Sequence, residues 1–345
     1  MKLVRKQTKF NQIGAAHWVV PLTVIVLVAV VGVRVLTTSH AATPVDNDPP
    51  SGLVIQVSTL SPSVTPATLK AWLDSIRQSH RNSGKPGYIT SVVLQDIADQ
   101  NGNLLTNYLN VIAPYLPGGA TPAFSQAYIG TVDLPWTGTG SKYIDGIESA
   151  AFRSQNVNLS ATAAQAFKKN YPKVKADWYI TYEANLAGFW DSSIESSYAT
   201  YINQLVPALS AVTPGKTFLW SPSFWTTYSN EPSWALPSLQ ANFGDFFSKV
   251  EPHLAIDIQD FVGQSNGATT KADAVTWMKY LKQNWPTANN SIEANAEQFK
   301  ENSTGGITVG DSVEVPARET YYVQQGFPVG PSWEIRYWHQ RLYGS

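Results

Sequence analysis

Residues 177–220 read DWYITYEANLAGFWDSSIESSYATYINQLVPALSAVTPGKTFLW, and they hold one complete structural repeat. Trp178 to Tyr182 is a short run of aromatic and β-branched residues, the composition of a pleated, half-buried strand. Ser193 to Leu209 then carries a helical pattern, and Thr217 to Trp220 returns to strand composition. A connection of that length cannot be a hairpin, so the two strands are expected to run parallel with the helix crossing between them.

The same alternation extends in both directions. On the N-terminal side, strands are expected at Leu53–Val57, Tyr88–Leu94 and Phe124–Ile129, with helices at Pro66–His80, Leu104–Leu116 and Ala161–Asn170. On the C-terminal side, Leu239–Val250 and Lys271–Asn284 read as helices around strands at Ala255–Gln259 and Ile292–Ala296. A helix at Ala317–Gln325 and an aromatic strand at Trp333–Trp338 close the chain. Eight strands with helices between them suit a closed (β/α)8 TIM barrel better than an open doubly wound sheet. No glycine-rich phosphate loop follows any strand, and Gly138 to Lys142 lacks the spacing of a nucleotide loop.

The N-terminus has a different character. Residues 1–17 carry Lys2, Arg5, Lys6 and Lys9 with no acid, and residues 18–36 are apolar apart from Pro21, Thr23 and Arg34. A basic flank before an apolar segment is an export signal or an anchor, with the flank cytoplasmic and the rest of the chain outside. The segment is expected to form a hydrophobic helix outside the barrel. Its length admits a membrane span, and Ser39, His40, Ala41 and Ala42 admit cleavage. Residues 37–51, rich in proline, asparagine and aspartate, read as a linker to a barrel domain at 52–345. Beyond residue 42 there are 19 basic and 25 acidic residues, a net charge near −6 that argues against nucleic-acid binding. The chain has no cysteine, so thiolate metal sites and cysteine nucleophiles are excluded. His17, His40, His80, His253 and His339 are widely separated, so no metal site and no cofactor is expected.

In such a barrel, chemistry belongs at the carboxyl ends of the strands. The second strand ends in Gln95 and Asp96, the fourth in Tyr182, Glu183 and Asn185, and the sixth in Gln259 and Asp260. Alternation puts Glu293, Asn295 and Glu297 on one face of the seventh strand, with Glu297 nearest the mouth. Glu183 and Glu297 are therefore expected to face each other, as the two carboxyls of glycoside hydrolysis do. Singly, each carboxylate would serve equally well as a salt-bridged or capping residue, and Glu293 suits a polar layer paired with Arg336 or a lysine. Asp96 and Asp260 could orient sugar hydroxyls or cap the elements that follow. Tyr182, Asn185, Gln259, Asn295 and Glu334 complete the candidate binding set. Aromatic faces stack on the C–H surfaces of sugars, and among the tryptophans Trp190 and Trp225 follow strand ends.

The segments Asp177–Asn185, Ile258–Gly263 and Glu293–Phe299 resemble domain-of-unknown-function family 4434, a group of glycoside-hydrolase-like barrels akin to clan A. The resemblance runs over residues 52 to 343. It implies a carbohydrate substrate and a site at the fourth- and seventh-strand glutamates, Glu183 as general acid/base and Glu297 as nucleophile. Tyr182 stands where clan A enzymes usually have asparagine, and Phe261 where the family usually has glycine. A non-catalytic saccharide-binding barrel on the same fold is the competing expectation.

Overall fold

The structure is a computed structural model, identical in sequence to the full chain. It describes residues 51–82, 89–134, 145–224, 235–250, 254–264, 269–285, 292–304 and 306–343. The segments expected to be a hydrophobic helix and, up to residue 50, a linker lie outside the described residues, as does Trp225. Among the described residues no helix is long and apolar enough to cross a membrane.

The chain alternates as the repeat implies: β1 (Ser51–Gln56), α1 (Pro66–Asn82), β2 (Ile89–Asp96), α2 (Thr106–Ile112), β3 (Gln126–Ile129), α3 (Asp145–Glu148), α4 (Ala150–Asn170), β4 (Asp177–Ile180), α5 (Ser192–Val212) and β5 (Phe218–Trp220). There follow α6 (Ala235–Lys249), β6 (Leu254–Gln259), α7 (Lys271–Asn284), β7 (Ile292–Asn295), β8 (Phe299–Glu301), β9 (Ile307–Val309), α8 (Glu314–Gln324), β10 (Pro331–Trp333) and α9 (Ile335–Tyr343). Eight strands form one parallel sheet in the order β10-β1-β2-β3-β4-β5-β6-β7. The sheet curls back on itself where Ala294 of β7 bridges Val329 just ahead of β10. There the Ala294 amide donates to Pro328 O (2.8 Å) and the Gly330 amide to Ala294 O (3.1 Å). The fold is thus an α/β barrel of the TIM type.

Three features depart from expectation. Of the strand expected at Trp333–Trp338, only Trp333 belongs to β10; Glu334 joins the two elements, and Ile335 to Trp338 lie in α9. The composition is strand-like, yet Ile335 and Trp338 are both buried, at the three-residue spacing that a helix places on one face. The short β8–β9 hairpin was not anticipated, its strands having three residues each. Helix α4 also begins earlier than expected, at Ala150, where the Ser149 hydroxyl accepts from the Phe152 amide (3.3 Å) and caps the first turn.

Side chains divide by strand alternation. One face of each strand packs beneath the helices, as Ile55, Leu94, Ile129, Ile180, Trp220 and Ile258 do. The other fills the barrel, where Val54, Val93, Tyr128, Tyr179 and Leu219 cluster. Glu293 is part of this interior but is not paired with Arg336, which holds Glu334 (2.5 Å). It lies opposite Asp257 in the β6–β7 register, and Gly330 makes room for both carboxyls. A Cβ at Gly330 would lie 2.3 Å from Asp257 Oδ1 and 2.8 Å from Glu293 Oε2. Burial raises the pKa of both groups, and the nearby Glu293 charge lifts Asp257 further.

Candidate active site

The alternation that fills the barrel continues past its apolar layer to the mouth. Two residues beyond Val54, Val93 and Asp257 stand Gln56, Gln95 and Gln259, and all three border one cavity of about 200 Å³. Glu183, four residues beyond inward Tyr179, and Glu297, four beyond inward Glu293, open into the same cavity. Trp333 and Phe299 form an aromatic wall with ring centroids 5.1 Å apart, and Ile307 of the β8–β9 hairpin lies at the rim.

Glu183 is held from below and beside. Gln95 Nε2 donates to its Oε1 (3.0 Å), and the Tyr179 hydroxyl reaches the same oxygen (3.4 Å). Gln95 is fixed in turn by Trp333, whose Nε1 donates to Gln95 Oε1 (3.3 Å). Burial raises the Glu183 pKa to about 7, against the opposing hydrogen bonds from Gln259 and Tyr179.

Glu297 is gripped by the loop after β6. The Gln264 amide donates to its Oε2 (2.8 Å). This approach requires glycine at 263, because a Cβ there would lie 2.2 Å from Phe299 O and 3.0 Å from Glu297 Oε2. Just before it, Phe261 adopts φ 55°, a left-handed conformation in the position where the resembling family usually has glycine. Burial lifts the Glu297 pKa to about 8, aided by the Asp260 charge and opposed by the loop amides and Arg318.

Among the described residues named from the sequence, Gln95 and Gln259 also border the cavity. Asp96, Tyr182, Asp260 and Glu334 each directly precede or follow an inward residue, so alternation turns them away from it. Asp96 accepts from the Ser58 amide (3.1 Å) and ties down the turn after β1. Tyr182 packs among Phe152, Tyr198 and Tyr201. Asp260 pairs with Arg318 (3.2 Å) and accepts from the Tyr322 hydroxyl (2.8 Å). Glu334 is fully buried against Arg336. Asn185 caps a short 3₁₀ turn, its Oδ1 accepting from the Ala187 amide (3.1 Å). Asn295 lies one layer deeper, donating to Asp257 Oδ2 (3.2 Å) and accepting from the Trp333 amide (3.0 Å). Trp190 is exposed at the end of that 3₁₀ turn and does not border the cavity. Asp96, Tyr182, Asn185, Trp190, Asp260, Asn295 and Glu334 therefore stand outside the lining of this cavity, each held by the contacts just given.

The structure adds Gln56, Gln264 and Asp133. Asp133 follows β3, and its pKa is raised to about 7 by burial and then by the Glu183 and Asp96 charges. Among the described residues no group of three or more histidine, cysteine, aspartate or glutamate side chains is placed to hold a metal ion.

These shifts fix the sign of the pH dependence of stability. The folded-state pKa values of Asp133, Glu183 and Glu297 exceed their ordinary values, so the folded chain binds more protons than the unfolded chain. Their stabilising contribution is complete at acid pH and is lost as pH rises through about 7 and about 8. The melting temperature is expected to fall by about 5 °C or more between pH of about 5 and about 9, because about 2 kcal/mol moves a domain of this size that far. Scanning calorimetry that finds a flat or rising melting temperature over that range contradicts the burial of these carboxyls.

No family model matches the chain, and no curated protein sequence matches it. Similar solved structures exist. One is a Bacteroides thetaiotaomicron protein provisionally named an alpha-L-fucosidase, with TM-score 0.59 and 11% identity over 84% of this chain and 88% of that one. Another is a class V chitinase from Pseudomonas fluorescens, with TM-score 0.51 and 10% identity over 86% of this chain and 99% of that one. At these identities the likeness is one of fold alone.

Proposed function

We propose that this chain is a glycoside hydrolase-like enzyme that acts on an extracellular or envelope carbohydrate through Glu183 and Glu297. The observation that carries the reading is the pair of glutamates just beyond β4 and β7, Glu183 half-buried and Glu297 buried, that line one cavity walled by Trp333 and Phe299. The extracytoplasmic location rests on the basic and apolar order of residues 1–36. In this reading Glu183 gives its proton to the glycosidic oxygen as the bond to the anomeric carbon breaks, and Glu297 stabilises or attacks that carbon. Water then completes the reaction, with Glu183 taking back a proton. A second reading exchanges the roles. It stands because burial raises the pKa of both carboxyls, so either could be the one that carries the proton.

Either assignment needs one carboxyl ionised and one protonated. Below pH of about 7 both hold protons and above about 8 neither does, so kcat/KM is expected to be bell-shaped with its maximum between those values. Hydrolysis of a panel of labelled oligosaccharides across pH tests this. Binding without cleavage at any pH would establish the saccharide-binding barrel instead, and neither binding nor cleavage would reject a carbohydrate site. An optimum below about 5 would mean that the carboxyls are not desolvated as described.

A further inference from the structure

Asp133 reaches the cavity through an irregularity in its strand. Tyr128 points into the barrel, and strict alternation from it would turn Asp133 outward to the helices. The run bends at Gly130 and Thr131: the amides of Ile97 and Ala98 both reach Thr131 O, at 3.0 and 3.3 Å. Val132 instead takes the outward place, packing with Ala98, Leu134 and Ala163. Across the strand the Thr131 amide donates to Thr181 Oγ1 (2.9 Å). Asp133 and Glu183 each lie two residues further on, so their side chains enter the cavity from neighbouring strands.

The cavity therefore holds three carboxyls, with Glu297 as the third. Its remaining polar lining is glutamine, and no lysine, arginine or histidine borders it among the described residues. The nearest guanidinium groups are committed elsewhere, Arg318 to Asp260 and Arg336 to Glu334. Glu183 and Glu297 have donors from the protein, whereas Asp133 has no hydrogen-bond or ion-pair partner among the described residues. An acidic sugar would add like charge to this set and be repelled. The glutamine amides suit hydroxyls, and the aromatic wall suits a ring face.

Resting on the proposed carbohydrate site, we propose that the sugar it takes carries a free, protonated amine, and that Asp133 is the residue that recognises it. The ammonium would donate to the Asp133 carboxylate and neutralise charge that otherwise accumulates beside Glu183. This preference sets the substrate apart from neutral, N-acetylated and acidic sugars.

Titration calorimetry with methyl glycosides of glucosamine and galactosamine, against their N-acetylated and neutral counterparts, tests the idea. At neutral pH the free amines are expected to bind about tenfold or more tighter, the scale of one charge-assisted hydrogen bond. Asp133→Asn should erase the preference, so that free-amine and neutral sugars bind the variant with equal affinity. In the unaltered protein, amine binding should release protons, seen as a heat that depends on the buffer's ionisation enthalpy. Sugars that bind without preference for the amine, or a preference that survives Asp133→Asn, overturn this inference and leave the carbohydrate site standing. If no sugar binds, both fail together.

Discussion

Replacing Glu297 with glutamine is expected to reduce glycoside hydrolysis to background for every substrate, while Glu183→Gln discriminates between leaving groups. The difference follows from what each carboxyl does at the bond. A glutamine at 297 can neither attack nor stabilise the developing positive charge at the anomeric carbon, and a better leaving group does not supply what is missing. A glutamine at 183 removes only the proton, so a natural glycoside slows by about 10²–10⁴-fold and an activated aryl glycoside is largely spared in the first step. Steady-state kinetics of both variants on both substrate types read this directly. The opposite pattern, with Glu297→Gln sparing activated substrates, would assign the acid to Glu297. Equal and mild losses would show the pair to be structural and give the lead to the saccharide-binding barrel.

How far the site could be read in advance depended on one variable, the parity of each residue along its strand. Glu183, Gln259 and Glu297 were legible because β4, β6 and β7 alternate without interruption from the barrel interior to the mouth. Nearness to a strand end was a weaker guide: it singled out Asp96, Asp260 and Glu334, whose direct neighbours Gln95, Gln259 and Trp333 hold the inward places. Counting from the apolar residue that fills the barrel would have preferred Gln95 to Asp96. No such count would have found Asp133, because the bend at Gly130 and Thr131 reverses the parity and is formed by backbone hydrogen bonds to β2. The barrel itself was legible because long amphipathic helices and short apolar strands repeat. The last strand misled because the aromatic residues after Trp333 suit a strand by composition and a helix by spacing, and packing of Ile335 and Trp338 decided for the helix.

Arg318→Met is expected to destabilise the barrel by about 3–5 kcal/mol, the range for leaving a buried charge without its partner. Arg318 and Asp260 are each almost wholly inaccessible, 1% and 2% exposed, and their side chains meet at 3.2 Å. Arg318 also donates through Nη2 to the backbone carbonyl of Glu297, and Asp260 Oδ1 accepts from the amides of Val262 (3.2 Å) and Glu297 (3.4 Å). The ion pair therefore stands behind Glu297 and fixes its backbone from both sides. Methionine fills much of the arginine's volume, so the loss comes from the stranded Asp260 carboxylate rather than from a cavity. If so, Asp260→Asn in the same chain should recover a large part of the loss, since a neutral amide can keep a Tyr322 hydroxyl contact without a counter-charge. Guanidinium unfolding of the two single variants and the double variant measures the coupling. Losses that simply add would show that the two groups act independently and that something other than their pairing holds the Glu297 backbone in place.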